Sequence, residues 1–214
     1  MNLVNQPVRI ARGECFLPHS DLNPGEKLIL MVNAEQVQDG IDALAAAVMS
    51  QYFDEAPVVV PILRAAEWTA AQFRQRINST LGWTFSPAKI SSTDGQKRLP
   101  KLRVDRLPDP NLVAGRPVQI IDGVVDTGNT LNTAIKGLIN QASQVGVIPP
   151  SRIAACALVL KEAAQKVDLP QLTAVAFLAG ENDWVVGASD EELRGMDLND
   201  RFAYGLPGIA HIQI

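Results

Sequence analysis

The sequence is short of the side chains that most chemistry-bearing sites need. Among 214 residues there are two histidines, His19 and His211, and two cysteines, Cys15 and Cys156. So few histidines, near opposite ends, exclude a His-rich metal centre and give little support to a His-based triad. The two cysteines form neither a metal-ligand pattern nor a disulfide framework, which fits a reducing compartment, and the expected location is cytoplasmic. No apolar run reaches the roughly 18 residues of a membrane span. Residues 1–12 lack the charged start and continuous apolar core of a signal peptide, so no membrane partner is expected. The sequence has no GxxxxGK[ST] and no GxGxxG, which disfavours a standard nucleotide triphosphatase or dinucleotide enzyme. Positive charge is not in excess either. The net charge of −4 argues against a long-range grip on nucleic acid.

What is present is the composition of an ordinary globular chain, 47% hydrophobic and 20% charged. The length suits one domain, able to bury a core without metal or disulfide staples. Residues 1–27 carry scattered apolar residues among Pro7, Gly13, Pro18, Pro24 and Gly25, and are expected to be an irregular N-terminal extension or cap. From about residue 35, Val37, Ile41, Leu44 and Val48 mark one face of a helix. Residues 57–63 form a short apolar run bounded by prolines, as a buried strand does. Ala66, Ala70, Phe73 and Ile77 restore the helical period, and a further strand is expected over about 84–90. Residues 91–117 look like a long loop, with Lys97, Arg98, Lys101, Arg103 and Arg106 crowded between prolines. Such a loop is either functional or disordered, and its charges are equally consistent with a solvated face.

Strands are then expected over 118–122, 153–160 and 173–178, with a helix between the first two carrying Leu131, Ala134, Ile135 and Leu138. Residues 184–214 read as a strand and a loop-rich tail. Strands alternating with helices predict an α/β fold around a mostly parallel sheet of about five strands.

Chemistry concentrates in residues 118–130, VQIIDGVVDTGNT. An apolar strand ends at Asp122, and Asp126, Thr127, Gly128, Asn129 and Thr130 lead into a helix. Ligands of parallel sheets bind at the carboxyl ends of strands. The free N–H groups and positive dipole of a helix N-terminus suit a phosphate. Taken alone, Asp126-Thr127-Gly128 is also compatible with a simple turn that caps a helix.

The longer stretch VQIIDGVVDTGNTL resembles the phosphoribosyl-diphosphate signature of type I phosphoribosyltransferases, and residues 28–209 follow the order of the hypoxanthine-guanine branch. Residues 57–73 resemble its strand, pyrophosphate loop and following helix. ALVLK, ending at Lys161, resembles the strand bearing its purine-contacting lysine. Trp184 to Gly187 and Gly195 to Asp197 resemble its hood segment. The resemblance implies a mostly parallel five-stranded sheet flanked by helices, with residues 28–214 as a single domain. It also implies a small hood built from the terminal segments, mainly about 180–214. It implies transfer of 5-phosphoribosyl from 5-phosphoribosyl 1-diphosphate to a nucleobase, a 6-oxopurine first, with Mg2+ as cofactor and a homo-oligomer, dimer or tetramer, as the assembly.

By matching positions, the resemblance assigns the 5-phosphate to residues 126–130, with Asp126 also the acid or base for the purine ring proton. Asp122 would hold ribose hydroxyls, directly or through metal. Leu63, Arg64 and Ala65 would bind pyrophosphate, and Lys161, Trp184 and Val185 the base. Asp197 would lie near a second magnesium. A shielding loop would fall at about 91–107.

Four departures accompany the match. Gly123 stands where the signature has its second acid. The pyrophosphate loop reads Leu-Arg-Ala-Ala, and its Pro-Ile-Leu-Arg-Ala portion is more similar to uracil phosphoribosyltransferases. Residues 188–194 are inserted between the two hood motifs, and Ala203 stands where the branch has an arginine. These leave three further readings: a pyrimidine substrate, a nucleotide- or sugar-diphosphate-binding regulator that does not catalyse transfer, and a magnesium hydrolase using Asp122 and Asp126.

Overall fold

The computed structural model describes residues 6–9, 16–17, 27–32, 34–63, 65–77, 82–94, 97–180, 185–186 and 209–213. In chain order the elements are β1 (Val8–Arg9), β2 (Phe16–Leu17), β3 (Lys27–Val32), α1 (Ala34–Gln51), β4 (Val58–Leu63), α2 (Glu67–Arg76), β5 (Thr84–Phe85), β6 (Ala88–Asp94), β7 (Lys97–Arg106) and α3 (Pro110–Val113). They continue with β8 (Pro117–Val125), α4 (Asn129–Val145), β9 (Arg152–Lys161), α5 (Glu162–Gln165), β10 (Leu172–Ala179), β11 (Val185–Val186) and β12 (Ile209–Gln213).

The main sheet runs β1-β10-β9-β8-β4-β6-β7, with β5 also on β4. The pairings from β1 through β6 are parallel, and only β7 runs antiparallel, against β6. The five expected strands are therefore its centre, with the two-residue β1 added at one edge and the ten-residue β7 at the other. β8 lies between two parallel neighbours, which is why PVQIIDGVV is a nearly continuous apolar run buried along most of its length. On one face of the sheet, Val37, Ile41, Leu44 and Val48 of α1 pack with Phe73, Ile121 and Phe177. On the other, Leu131, Ala134 and Leu138 of α4 pack with Val58, Val60, Ile120 and Leu160. Each fully buried Val, Leu, Ile or Phe among them contributes about 1.5–3 kcal/mol by leaving water.

Three expectations need correction. The strand expected over about 84–90 is broken into β5 and β6 at Ser86 and Pro87. The break falls beside Val60 and Pro61, between the β5 pairing at Val59 and the β6 pairing at Ile62. Neither Pro61 nor Pro87 has an N–H to give a ladder there. The β8 strand continues past Asp122 to Val125.

The loop expected over 91–117 is largely the hairpin of β6 and β7. Ile90 faces Val104, and Ile90 and Leu102 join the core cluster that holds α4, while the opposite face is charged. Prolines and basic residues mask this period of two in the sequence. On the charged face, Asp105 accepts from Ser91 Oγ and from Arg103 Nε. Those hydrogen bonds hold its carboxyl below the usual range.

The terminal segments meet in a second sheet, β11-β12-β3-β2, antiparallel throughout. Val8 and Arg9 add a parallel strand to β10, and Arg9 pairs with Glu162 at the start of α5.

Candidate active site

Parallel strands bring their carboxyl ends to one edge, and the chemistry-bearing residues gather there. β4 ends at Leu63, β8 at Val125 and β9 at Lys161, with Val125 in register with Leu160. Beyond β8 the chain turns through Asp126 and Thr127, both exposed, to Gly128. Gly128 is the residue before α4 and has φ +76°, a left-handed backbone that favours glycine. It makes no side-chain cap, and the first helical bond runs from Asn132 N–H to Gly128 carbonyl at 2.9 Å. The N–H groups of the first turn are thus open at the head of a 17-residue helix, a place built for an anion. Beneath Gly128 lies Leu169, from the α5–β10 connection. A Cβ at Gly128 would be 2.9 Å from one of its methyl carbons. Leu169 carries no signal in the sequence, because only the fold brings it under the loop.

Lys161 closes β9 with its side chain 9% exposed. Its Nζ stands 3.0 Å from Oδ1 of Asp126, whose side chain is 59% exposed. Two residues assigned separately from sequence, one to the base and one to its proton, therefore form one ion pair. Asp122 is different. It is 4% exposed, and its carboxyl accepts from the backbone N–H groups of Gly123 and Val124. Burial dominates those hydrogen bonds and pushes its pKa up to about 7. Gly123 lies against Ala65 of the β4–α2 connection.

Leu63 is half-buried and Ala65 exposed. Arg64, Trp184, Asp197 and Ala203 lie outside the described residues, and Val185 is placed only by its pairing with His211. An open groove of about 490 Å3 lies along the outside of α2, between Pro61, Leu63, Arg74 and Phe85. It does not include Asp126 or Lys161.

The fold and the order of its site segments are those of a known family. A phosphoribosyl transferase domain model matches residues 32–193, which spans the turn at residues 126–130, Lys161 and most of the chain. The chain belongs to the phosphoribosyltransferase family. It is a transferase by that membership, and solved structures agree with the expected fold. A hypoxanthine-guanine phosphoribosyltransferase from Bacillus anthracis is 22% identical, with a TM-score of 0.62 over 86% of this chain and 97% of that one. A hypoxanthine phosphoribosyltransferase from Staphylococcus aureus is 20% identical, with a TM-score of 0.62 over 86% and 90%. A hypoxanthine-guanine-xanthine phosphoribosyltransferase is 19% identical, with a TM-score of 0.59 over 86% and 96%. Comparison with curated proteins finds no significant match. Among the described residues, no helix is long and apolar enough to cross a membrane.

The magnesium chemistry that the resemblance implies can be tested against the donors of this phosphoribosyltransferase. Among the described residues, no group of three His, Cys, Asp or Glu could hold a metal ion. Asp122 is buried and already accepts two N–H groups, Gly123 brings no side-chain oxygen, and Asp126 is held by Lys161. These residues do not fit a resident cation.

Proposed function

We propose that this chain transfers the 5-phosphoribosyl group of 5-phosphoribosyl 1-diphosphate to a 6-oxopurine, releasing pyrophosphate. The observation that carries the reading is the Lys161–Asp126 pair beside the open end of α4. A base entering there must replace both halves of the pair. It needs a carbonyl for the ammonium and, next to it, an N–H for the carboxylate. Hypoxanthine, guanine and xanthine present both on one edge and leave the other imidazole nitrogen to face the sugar. Adenine turns an amino group toward Lys161, which is itself only a donor.

In the reaction the ring nitrogen forms a bond to the anomeric carbon as the bond to the diphosphate oxygen breaks. That electron pair leaves with pyrophosphate, and the purine ring proton passes to Asp126. Catalysis rests on positioning and on balancing the charge of an oxocarbenium-like transition state.

The 5-phosphate sits on the N–H groups and hydroxyls of residues 127–130. Leu63, Arg64 and Ala65 take the diphosphate, and Asp122 braces the strand end beneath the ribose. Trp184 and Val185 flank the base. Magnesium enters as the counter-ion of the sugar diphosphate substrate, with Asp197 beside it. The β6–β7 hairpin, whose β6 continues past the end of β4, shields the reacting sugar from water. Residues 28–214 act as one unit with a hood from the terminal segments and 1–27 as a cap, in a cytoplasmic homo-oligomer.

The test is pyrophosphate release with magnesium and 5-phosphoribosyl 1-diphosphate, adding hypoxanthine, guanine, xanthine, adenine, uracil and orotate in turn. Release with the oxopurines and little with adenine is expected. Release with uracil alone would move the reading to pyrimidines. The burial of Asp122 favours one second reading, a protein that binds the ligands without turnover. Tight binding with no release for any base would establish it.

A further inference from the structure

Gly123 is buried inside β8 and is not among the glycines with positive φ, so its backbone asks nothing that another residue could not supply. What it supplies is room. A Cβ built on it would lie 2.3 Å from the carbonyl oxygen of Ala65, 2.7 Å from the carbonyl carbon and 3.3 Å from the Ala65 Cβ. The first two are main-chain atoms, and no rotamer change moves them aside. The chain is fixed on both sides of this contact. Ala66 N–H donates to the Ile62 carbonyl at 3.0 Å, and Ala70 N–H to the Ala66 carbonyl at 2.8 Å. Ala66 is fully buried. A side chain at 123 therefore has to push the β4–α2 connection away from the end of β8.

We propose that Gly123 is the seat of the β4–α2 connection, a positioning residue that sets how deeply the backbone at Ala65 rests against β8. The proposal rests on the reading of that connection as the diphosphate-binding segment. It deepens that reading, because it makes Gly123 and the connection a matched pair. The space of a signature carboxylate is filled here by main chain. Restoring the acid would then not restore a grip on the sugar; it would displace the segment that holds the diphosphate.

The experiment compares wild type with Gly123→Ala and Gly123→Asp in three readouts: affinity for 5-phosphoribosyl 1-diphosphate, affinity for a nucleoside 5-monophosphate, and amide hydrogen exchange at residues 62–66. The monophosphate uses the phosphate loop but not the diphosphate segment, and it also reports that a variant is folded. Both variants should bind the sugar diphosphate about tenfold to a hundredfold more weakly, the loss expected when a hydrogen bond to the charged diphosphate is misplaced. Their monophosphate affinity should be unchanged, and exchange at 62–66 should be faster. KM for the sugar diphosphate should rise while KM for the base stays.

Sugar-diphosphate affinity and exchange equal to wild type in Gly123→Ala, or tighter binding in Gly123→Asp, would overturn the proposal. If neither variant folds, wild type still decides. Inorganic pyrophosphate should protect 62–66 and 122–124 together, and protection of only one of the two segments overturns the seat. Wild type that binds neither sugar diphosphate nor monophosphate refutes the functional reading instead. The exchange rates of Gly123→Ala then still test the seat.

Discussion

Lys161 and Asp126 form one ion pair with very unequal solvation, 9% against 59% exposed side chains, and this predicts unequal costs for removing either partner. Asp126→Ala leaves a buried ammonium without its counter-charge. Breaking a buried pair in that sense costs about 3–5 kcal/mol, and the lower end applies here because the mouth of the site is open. Lys161→Met keeps most of the apolar stem and frees a carboxylate that water already reaches. That change should cost no more than about 1 kcal/mol.

The two variants should therefore differ by about 2 kcal/mol, and in a chain of this size that is several degrees in Tm. Urea unfolding of wild type, Lys161→Met, Asp126→Ala and Asp126→Asn at neutral pH measures the difference directly. Asp126→Asn should fall between the extremes, because its amide oxygen still accepts from Lys161. Equal costs for the two deletions, or a larger cost for Lys161→Met, would refute the argument that burial of the ammonium sets the scale. Turnover should fall in both, with Lys161→Met losing its preference for oxopurines over adenine.

Gly128→Ala forces a left-handed φ on a residue with a Cβ and drives that Cβ into Leu169. A loss of about 1–2 kcal/mol from the backbone alone, with weakened monophosphate binding, should appear in thermal melts and titration. Asp122 keeps its proton more tightly folded than unfolded, so between about pH 4 and pH 7 the folded chain binds more protons. Stability should fall as pH rises through that window and level off above it. Asp122→Asn should lack this fall, which is at most about 4 kcal/mol, and parallel pH profiles of the two proteins would contradict it. Cys156 is buried, and its thiol is pushed up to about 12, chiefly by burial. Its peptide should stay unalkylated by iodoacetamide in the native protein at pH 8 and react fully once unfolded, as read by mass spectrometry.

The helices α1, α2 and α4 and the strands β4, β8, β9 and β10 are legible in the chain because burial repeats at 3.6 residues or runs unbroken through a central strand. The turn of residues 126–130 into α4 is legible for a related reason. Its glycine and hydroxyl residues are contiguous, and contiguous residues keep their relation in any fold. The β6–β7 hairpin was hidden because its few apolar residues, Ile90, Leu102 and the exposed Val104, are interrupted by Pro100 and by charges that locally resemble a loop.

The sequence by itself determined the alternation of strand and helix, the family, and the contiguous Asp-Thr-Gly-Asn-Thr turn into α4, all properties of local pattern. Three relations were decided only by the tertiary structure: Asp126 with Lys161, Gly128 over Leu169, and Gly123 against the Ala65 carbonyl. Each joins residues 35 to 58 positions or so apart across neighbouring strands and their connections. Nothing in the linear order carries the distance between them. The packing of parallel strands sets that distance, and with it which side chains are dry, which are paired, and where a glycine is needed for space.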